Sequence, residues 1–418
     1  MVHNHNIVSA VEFGTSKITL LTGECTNSAA PRIIGYCTIP HNGVVVKGEI
    51  QDMEKAEELL ERAVKTVSDD SGIDPAEGKI LTVLVNGCQT ASRQGIGTAK
   101  ARSGIITDDE IFAASEEAKV LNLAADREII NSATTSFLVD SRQVLNPRGQ
   151  SGTELEIRAH IVHAVSSRID NFRKVICRCF DTAECDVLFS PLASDIGILS
   201  DKERDSGVLL VDIGAGCTDY VVEFKNGIWS SGSLQLGFEH VANDLSLAFS
   251  LPVNTCRQLL ANGKLNAEIE NNSEEIECIN NSGKKIRIPM QDILTVVDAR
   301  LEEIFTVIKH NLIADKVPKN LESGGVLTGG GAKFIRTKEA FSKIFELSCS
   351  VRFPADADGA VTEVKDPAFS AVWGALKFSA EKFMQTYGDP GSRSRDNWHN
   401  RWMSVVSNFK DFLASFKF

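Results

Sequence analysis

Two stretches of the chain begin with a run of β-branched and apolar residues that reaches an acid, turn at glycine and continue as a second apolar run, as paired β-strands do. Residues 7–24, IVSAVEFGTSKITLLTGE, reach an acid at Glu12, turn at Gly14 and continue as a second apolar run. Residues 207–227, GVLLVDIGAGCTDYVVEFKNG, repeat this arrangement around Asp212. Each pattern predicts a β-hairpin, and its recurrence after about 200 residues indicates an internal duplication.

A third glycine turn lies in residues 324–345, GGVLTGGGAKFIRTKEAFSKIF. The pattern predicts a strand, a turn of three glycines and then a helix. It lacks the Gly-Lys-Ser/Thr ending of a Walker loop and the G-x-G-x-x-G spacing of a dinucleotide fingerprint. Taken alone, it could be a glycine-rich entry to a packed helix.

Composition narrows the choice of function. A chain of 418 residues with 43% hydrophobic and 24% charged residues suits two to four globular domains or subdomains. The formal net charge of -12 argues against a general nucleic-acid binder. The ten cysteines lack paired zinc spacing, which favours reduced thiols in the cytosol. Neither a signal peptide nor a run of about 18 apolar residues is visible.

The glycine turns carry chemistry suited to a nucleotide. Exposed backbone amides at such turns form an anion-binding nest, and an acid at a strand end can hold a hydrated Mg²⁺. Glu12 and Asp212 are the candidate metal residues, and Asp219 is a candidate neighbour of the phosphates and metal. The candidate nucleotide-binding residues are Gly14, Thr15, Ser16, Lys17, Asp212, Gly214, Ala215, Gly216, Cys217, Thr218, Gly329, Gly330, Gly331 and Lys333. Taken singly, each of the two hairpin turns is better explained as an ordinary glycine hairpin.

In this order, the three turns resemble the two phosphate loops and the adenosine loop of the actin, sugar-kinase and heat-shock ATPase superfamily. Within that superfamily the chain most resembles the FtsA family of bacterial cell-division proteins, and the likeness covers nearly the whole chain. Five motifs carry it: VEFGTSK (11–17), VVVKGEI (44–50), LNPRGQSGTELEIRAHIV (145–162), LVDIGAGCTD (210–219) and VLTGGGAKF (326–334).

The resemblance implies an α/β actin-like ATPase fold, with two RNase H-like domains around a nucleotide cleft, an FtsA-type inserted subdomain and a C-terminal amphipathic helix. The expected boundaries are 1–86, 167–204 and 367–386 for subdomain 1A, 87–166 for the inserted subdomain 1C, 205–247 and 321–366 for subdomain 2A, 248–320 for subdomain 2B, 387–397 for a flexible linker and 398–418 for the helix. Within the insertion, Thr107 and Glu110 form a predicted capping box that begins a helix with one apolar face.

The resemblance also implies ATP and Mg²⁺ as ligands, although the sequence departs from the family pattern. Ala215 and Cys217 stand where the family usually has Gly and Thr, which removes a hydroxyl near the phosphates. Cys256 and Leu259 stand where relatives often carry Glu and Lys against the ribose and adenine. We therefore expect modest ATP affinity and, because no residue stands out as a general base, at most slow hydrolysis.

A basic segment in an acidic protein is the candidate partner site. In the family, the subdomain at NSGKKIRIPMQDILTVVDARLEEIF (281–305) grips the C-terminal peptide of FtsZ. The candidate residues here are Lys284, Lys285, Arg287 and Arg300. A solvated run of charges explains the same pattern about as well.

The C-terminal residues NWHNRWMSVVSNFKDFLASFKF (397–418) follow a different period. Their apolar residues are spaced by three and four and so share one helical face; they are Trp398, Trp402, Val405, Val406, Phe409, Phe412, Leu413 and Phe416. Five Lys or Arg against two Asp from Arg393 onward favour anionic lipid, and the linker YGDPGSRSRDN precedes the helix. An interfacial membrane anchor is predicted; a helix docked on the protein body is the alternative.

These observations favour a membrane-tethered adaptor over an enzyme. The expected protein polymerises with itself at the cytoplasmic face of the membrane at midcell, tethers FtsZ filaments and recruits later divisome proteins. A PilM-like pilus-assembly adaptor shares the fold and the insertion but normally lacks the amphipathic tail. A sugar kinase or chaperone ATPase would require a substrate-facing acid or a following substrate-binding domain, respectively.

Overall fold

The structure is a computed structural model that describes residues 6–26, 30–87, 90–261, 265, 275–359 and 362–387. The predicted membrane helix at 398–418 and the linker beyond Tyr387 lie outside the described residues. No helix in the described part of the chain is both long and apolar enough to span a membrane.

The first domain is built on a six-stranded sheet in the order β11-β6-β1-β2-β3-β19. β1 and β2 form the first predicted hairpin, and β6 and β11 extend the sheet in parallel beside β1. β1 is apolar almost throughout because the sheet is covered on both faces. The strands are β1 Ile7–Phe13, β2 Lys17–Glu24, β3 Arg32–Pro40, β6 Ile80–Val85, β11 Asp186–Phe189 and β19 Asp358–Gly359.

The second domain repeats this topology in a five-stranded sheet of order β14-β13-β12-β17-β18. Its β12 and β13 form the second predicted hairpin, and β17 and β18 run parallel to β12. Both domains thus place an antiparallel hairpin beside a parallel pair, as an internal duplication requires. The strands are β12 Val208–Ile213, β13 Thr218–Phe224, β14 Gly227–Leu234, β17 Gly325–Thr328 and β18 Cys349–Val351.

A separate four-stranded sheet, β7-β10-β8-β9, is inserted between β6 and β11 of the first domain. Helix α2, Asp108–Ala118, packs on it and begins with the predicted capping box of Thr107 and Glu110. Ala114 and Ala118 of this helix are buried against the sheet. The strands are β7 Ala91–Lys100, β8 Arg127–Val139, β9 Arg142–Val144 and β10 Glu154–Val165.

Helices cover both principal sheets. On the first domain, α1 begins at the Asp52 cap, whose carboxylate accepts from the Lys55 amide, and ends at Gly72 in the left-handed conformation. Two helices, α4 and α10, cross at the base of the cleft between the domains. The first domain carries α1 Met53–Ser71 and α3 Ser166–Cys179. At the crossing, α10 Ser370–Tyr387 packs on the first sheet and α4 Ser190–Ile198 contacts both sheets, while α5 Asp201–Ser206 packs beside β13 of the second domain.

The second domain has its own apolar core, which extends from the sheet into a layer of helices and a small hairpin. Short pairs of strands complete the fold, β15 with β16 here and β4 with β5 in the first domain. The elements are β4 Val45–Val46, β5 Glu49–Ile50, α6 Phe238–Phe249, α7 Val253–Ala261, β15 Glu275–Ile279, β16 Lys285–Pro289, α8 Met290–Ala314 and α9 Ile335–Phe345.

Candidate functional site

A cavity of about 560 Å³ lies between the two domains, where the turns of both hairpins meet the glycine turn after β17. Its walls include all three predicted glycine turns. Because the strand order is the same in both domains, each contributes its first hairpin turn and the end of the neighbouring parallel strand to this cleft.

The first turn is closed by a hydrogen bond from the Gly14 amide to the Lys17 carbonyl (3.0 Å). Its outer side is fixed by Nε2 of His41, which lies 2.9 Å from the Gly14 carbonyl. The amide of Lys47 donates to Thr15 Oγ1 (3.2 Å). The predicted Lys-Gly turn therefore supports the first glycine turn from behind.

The second turn has the same closure, from the Gly214 amide to the Cys217 carbonyl (2.9 Å). The first amides of α6 fix it, because Phe238 N donates to the Gly214 carbonyl (3.1 Å) and Glu239 N donates to the Ala215 carbonyl (2.8 Å). Two stretches about 200 residues apart have thus folded into matched turns that face one cavity.

The two turns approach each other so closely that one position must be glycine. A Cβ at Gly216 would overlap Thr15 Oγ1. In the third turn, Gly329 has φ of 83° and a Cβ there would overlap the Asp212 carboxylate. Lys333, one turn further, forms an ion pair with Asp366. The glycines therefore allow backbone to reach positions that a side chain would occupy.

Three carboxyl groups converge on the cavity from the two hairpins. Burial raises the pKa of Glu12 to about 7, although the nearby Lys17 ammonium partly offsets this, and the Asp212 charge adds to it. Burial also raises the pKa of Asp212 to about 6, against a 2.7 Å hydrogen bond from Ser194 Oγ. The pKa of Asp219 rises to about 8, again chiefly by burial.

Two oxygens of these carboxyl groups, Glu12 Oε2 and Asp219 Oδ1, are buried without a hydrogen-bond partner among the described residues. Buried polar atoms normally have a hydrogen-bond partner, so these two oxygens are candidates to bind a ligand, water or cation. Mg²⁺ typically binds one or two carboxylates together with several waters. No group of three or more His, Cys, Asp or Glu side chains in the described ranges forms a closed metal cage. A cation here would thus keep most of its coordination for water or ligand.

The structure brings most of the predicted nucleotide residues to this cavity. Those in its lining are Gly14, Thr15, Ser16, Lys17, Asp212, Gly214, Ala215, Gly216, Cys217, Gly329, Gly330, Gly331 and Lys333, together with Glu12 and Asp219. Thr218 is the exception. Its side chain is buried and its hydroxyl donates to the Leu236 carbonyl (2.8 Å), so it fixes the segment between β14 and α6 and is not part of the cavity lining.

Cys256 and Leu259, which stand where relatives often carry Glu and Lys against the ribose and adenine, do not line the cavity. Cys256 is fully buried in the core of the second domain, and Leu259 packs against that core. The residues of α7 that line the cavity are Arg257, Leu260 and Ala261. Because successive helical residues are rotated by about 100°, an assignment displaced by one position points to a different face.

Several cavity residues carried little signal in the sequence. Asn86 follows the apolar strand ILTVLV, the same placement that drew attention to Glu12 and Asp212, and its amide donates to Asp219 Oδ2 (3.3 Å). The strand end could have revealed it. Ser190 of α4 and Arg257 of α7, which pairs with Glu239 of α6, had no such signal because nonlocal packing brings them to the cleft.

The predicted partner residues do not form one free basic surface. Lys284 and Lys285 are exposed on the β15–β16 hairpin, where Arg287 pairs with Glu277 (2.9 Å). Arg300 lies on α8 and its guanidinium donates to both carboxylate oxygens of Asp244 on α6 (2.6 and 2.9 Å). It also pairs with Glu303. Arg300 therefore joins two helices, while the lysines remain available.

Comparison with known proteins identifies two segments of the chain. Residues 87–163 match the family model described as the SHS2 domain inserted in FtsA, and residues 209–374 match the model described as cell division protein FtsA. Together these matches take in more than half of the chain. A curated relative, cell division protein FtsA of Neisseria meningitidis serogroup B, is 28% identical over 382 residues, covering 90% of this chain and 91% of the relative.

Solved structures with the same fold are more distant in sequence. A PilM-PilN type IV pilus biogenesis complex matches 89% of this chain and 98% of the solved chain, with 13% identity and a TM-score of 0.61. MreB5 of Spiroplasma citri bound to ADP matches 91% of this chain and 98% of the solved chain, with 15% identity and a TM-score of 0.52. At this identity the matches establish the fold alone.

Proposed function

Since the chain belongs to the FtsA family of cell-division proteins and has an actin-like ATPase fold, we propose that it is an ATP-dependent adaptor. In this role it polymerises at the cytoplasmic face of the membrane, tethers FtsZ filaments there and recruits later divisome proteins. The cleft supplies the nucleotide-dependent part of this function. In this proposal the β15–β16 hairpin, with Lys284 and Lys285, binds FtsZ, and the C-terminal segment binds the membrane.

The observation that carries the nucleotide proposal is the pair of matched glycine turns facing one cavity with buried, incompletely paired carboxyl groups between them. Phosphate groups suit such turns because exposed amides and close backbone approach favour anions. The fold relative MreB5 was solved with ADP. We extend nucleotide binding to this chain as a proposal that rests on the geometry of the two turns.

In this proposal the turns at Gly14–Lys17 and Gly214–Cys217 hold the phosphates. Gly329–Gly331 lies against the adenosine, beside Arg257 and Leu260. Glu12 and Asp212 hold a hydrated Mg²⁺, which offsets the charge of the phosphates. We propose at most slow hydrolysis, because the cleft residues serve mainly to bind and position.

Mg-ATP binding to Asp212→Ala tests the assignment of the second turn. Loss of this carboxylate should weaken Mg-ATP binding by at least about tenfold, since it removes roughly 1.4 kcal/mol or more of favourable interaction. Asp298→Ala is the matched control, because Asp298 is also a partly buried, paired acid of the second domain but pairs with Arg336 outside the cleft. Isothermal titration calorimetry of both variants decides the question, and equal affinities would contradict the assignment.

The division-site proposal has a cellular test. A fluorescent fusion of the full chain should form a midcell ring in dividing cells that depends on FtsZ. A fusion that ends at Tyr387 should remain diffuse, because the proposed membrane segment is missing. Polar or uniform localisation of the full chain would oppose a division role.

A further inference from the structure

The inserted subdomain is attached to both domains, and the two attachments differ in kind. On the first domain, Asn131 of β8 uses its whole amide on the edge strand β11: Nδ2 donates to the Val187 carbonyl (2.9 Å) and Oδ1 accepts from the Phe189 amide (2.8 Å). Asn131 is 2% exposed. Buried paired amides of this kind fix one element rigidly to another.

On the second domain, the insertion covers the free edge of β14. Ser92 Oγ of β7 donates to the Ser231 carbonyl (2.7 Å), and Gln94 Nε2 donates to the carbonyls of Ile228 (3.2 Å) and Trp229 (3.0 Å). Nε2 of His160 lies 2.7 Å from Ser231 Oγ. Side chains thus take the place of a neighbouring strand, and such polar contacts are easier to separate than a strand pair or an apolar core.

The same strand β14 reaches the nucleotide cleft. Ser233 lies opposite Asp219 in the strand register, two residues from Ser231 and therefore on the same face of β14. The Ser233 hydroxyl accepts from the amide of Gly87 (2.9 Å), the residue at which the matched inserted domain begins. The neighbouring Asn86 side chain donates to Asp219. Asp219 is thus linked to the root of the insertion through two short polar routes.

From this arrangement we propose that β14 couples occupancy of the cleft to the docking of the inserted subdomain: a Mg-nucleotide bound in the cleft beside Asp219 favours the docked insertion, and the docked insertion favours the nucleotide. The inference rests on the proposed nucleotide function and adds its regulation. Ser233 is a positioning residue, since it acts through Asp219 and Gly87. Coupling of this kind is reciprocal by thermodynamic necessity.

Hydrogen exchange and nucleotide affinity, measured on the full chain, test the coupling from both sides. In the wild type, Mg-ATP should slow exchange across residues 91–100 by at least about fivefold, the lower end of common coupling strengths. Ser92→Ala with Gln94→Ala, far from the cleft, should weaken Mg-ATP binding by a similar factor. Thr98→Ala is the matched control, because Thr98 lies on the same strand but bonds Glu117 of α2.

The role of Ser233 is tested with separate variants. Ser233→Ala should still bind Mg-ATP but should lose the effect of the nucleotide on residues 91–100, whereas Ser233→Thr, which keeps the hydroxyl, should retain it. Affinity of the Ser92 and Gln94 double variant equal to that of Thr98→Ala would overturn the coupling. A nucleotide effect on residues 91–100 that survives in Ser233→Ala would overturn it as well.

Hydrogen exchange measured without nucleotide tests this inference independently of the proposed function. Asp219→Ala should speed exchange across residues 91–100, because it removes the partner of Ser233 and Asn86. Asp212→Ala should not, because Asp212 is held by Ser194 of α4. A wild type that binds no nucleotide would end the proposed function, and equal exchange in these two variants would then overturn the link through β14.

Discussion

At the scale of single residues, the cleft is defined by carboxyl groups that the fold has removed from water. Glu12 and Asp212 come from the corresponding strands β1 and β12, Asp219 comes from β13, and burial raises the pKa of each. Because these pKa values are raised, ionisation of the three carboxyl groups lowers the free energy of unfolding. Such a cost is tolerated at a site whose cationic partner binds later.

The first prediction concerns the pH dependence of stability without nucleotide. Between pH 6.5 and 8 the folded state holds protons on Glu12 and Asp219 that the unfolded chain has released, so stability falls as pH rises, by up to about 1.4 kcal/mol per pH unit for each group. Lowered pKa values of His41, His163 and His240, due to burial, act in the opposite direction but mainly below pH 6.5.

Asp219→Asn isolates this effect, because the histidines are the same in both proteins. Urea unfolding at pH 6.5, 7.25 and 8 should show the variant gaining stability relative to the wild type as pH rises, by as much as about 1.4 kcal/mol per pH unit. A difference independent of pH would mean that Asp219 titrates near its ordinary range.

At the scale of elements, the β15–β16 hairpin and α8 present two different kinds of basic residue. Lys284 and Lys285 are exposed, whereas Arg300 is held between α6 and α8 by Asp244 and Glu303. Exposed charges mainly set the encounter rate and its salt dependence, whereas a desolvated paired charge affects dissociation.

The second prediction follows for an acidic, apolar C-terminal peptide of FtsZ. Lys284→Gln with Lys285→Gln should slow association and flatten its salt dependence, while Arg300→Met should speed dissociation by about tenfold or more. Arg336→Met is a matched control. Arg336 of α9 is about as exposed as Arg300, and it likewise pairs with carboxylates, one of which is Asp298 of α8. Surface plasmon resonance at two salt concentrations gives both rates, and an Arg300 effect no larger than the control would move the site elsewhere.

The third prediction concerns membrane binding by the C-terminal segment and rests on the spacing of its apolar residues in the sequence. Trp402→Glu with Phe409→Glu places two charges on the predicted apolar face and should abolish co-sedimentation with anionic liposomes. Ser404→Glu with Ser407→Glu adds the same charge on the opposite face and should retain most of it. Similar loss in both pairs would indicate simple charge repulsion in place of an amphipathic anchor.

At the scale of the whole molecule, the two domains are joined by the crossing of α4 and α10. Gly197 and Gly374 allow the helices to touch through backbone: a Cβ at Gly374 would overlap the Ala193 carbonyl, and one at Gly197 would overlap the Ser370 carbonyl. This crossing lies directly beneath the cleft, since Ser194 of α4 donates to Asp212. The close approach of α4 and α10 therefore depends on Gly197 and Gly374.

The fourth prediction is that Gly374→Ala is strongly destabilising. The added methyl group must push α10 away from α4, and overpacking of this kind in a tight core costs on the order of 3 kcal/mol. Lys377→Ala, one turn along α10, removes an ion pair with Asp356 and a cation–π contact with the Trp373 ring, and should cost about 1.5 kcal/mol or less. Equal unfolding free energies for the two variants, from chemical denaturation, would contradict close packing at the crossing.

The sequence by itself determined the local features of this protein. Both hairpins, the three glycine turns and the capping box of α2 were predictable, because the apolar runs, the glycine positions and the Thr107–Glu110 spacing act over a few residues. The strand-end acids Glu12 and Asp212 were predictable candidates for the same reason. The family resemblance then predicted the order of the subdomains along the chain.

Only the tertiary structure decided which face each residue presents and what it contacts. Cys256 faces the core and Arg257 the cleft because α7 packs against α6 in the helical layer of the second domain. Thr218 bonds Leu236, Arg300 bonds Asp244, and Ser233 links Asp219 to Gly87. These contacts depend on the rotation and register of elements separated by tens to hundreds of residues, which a local pattern does not encode.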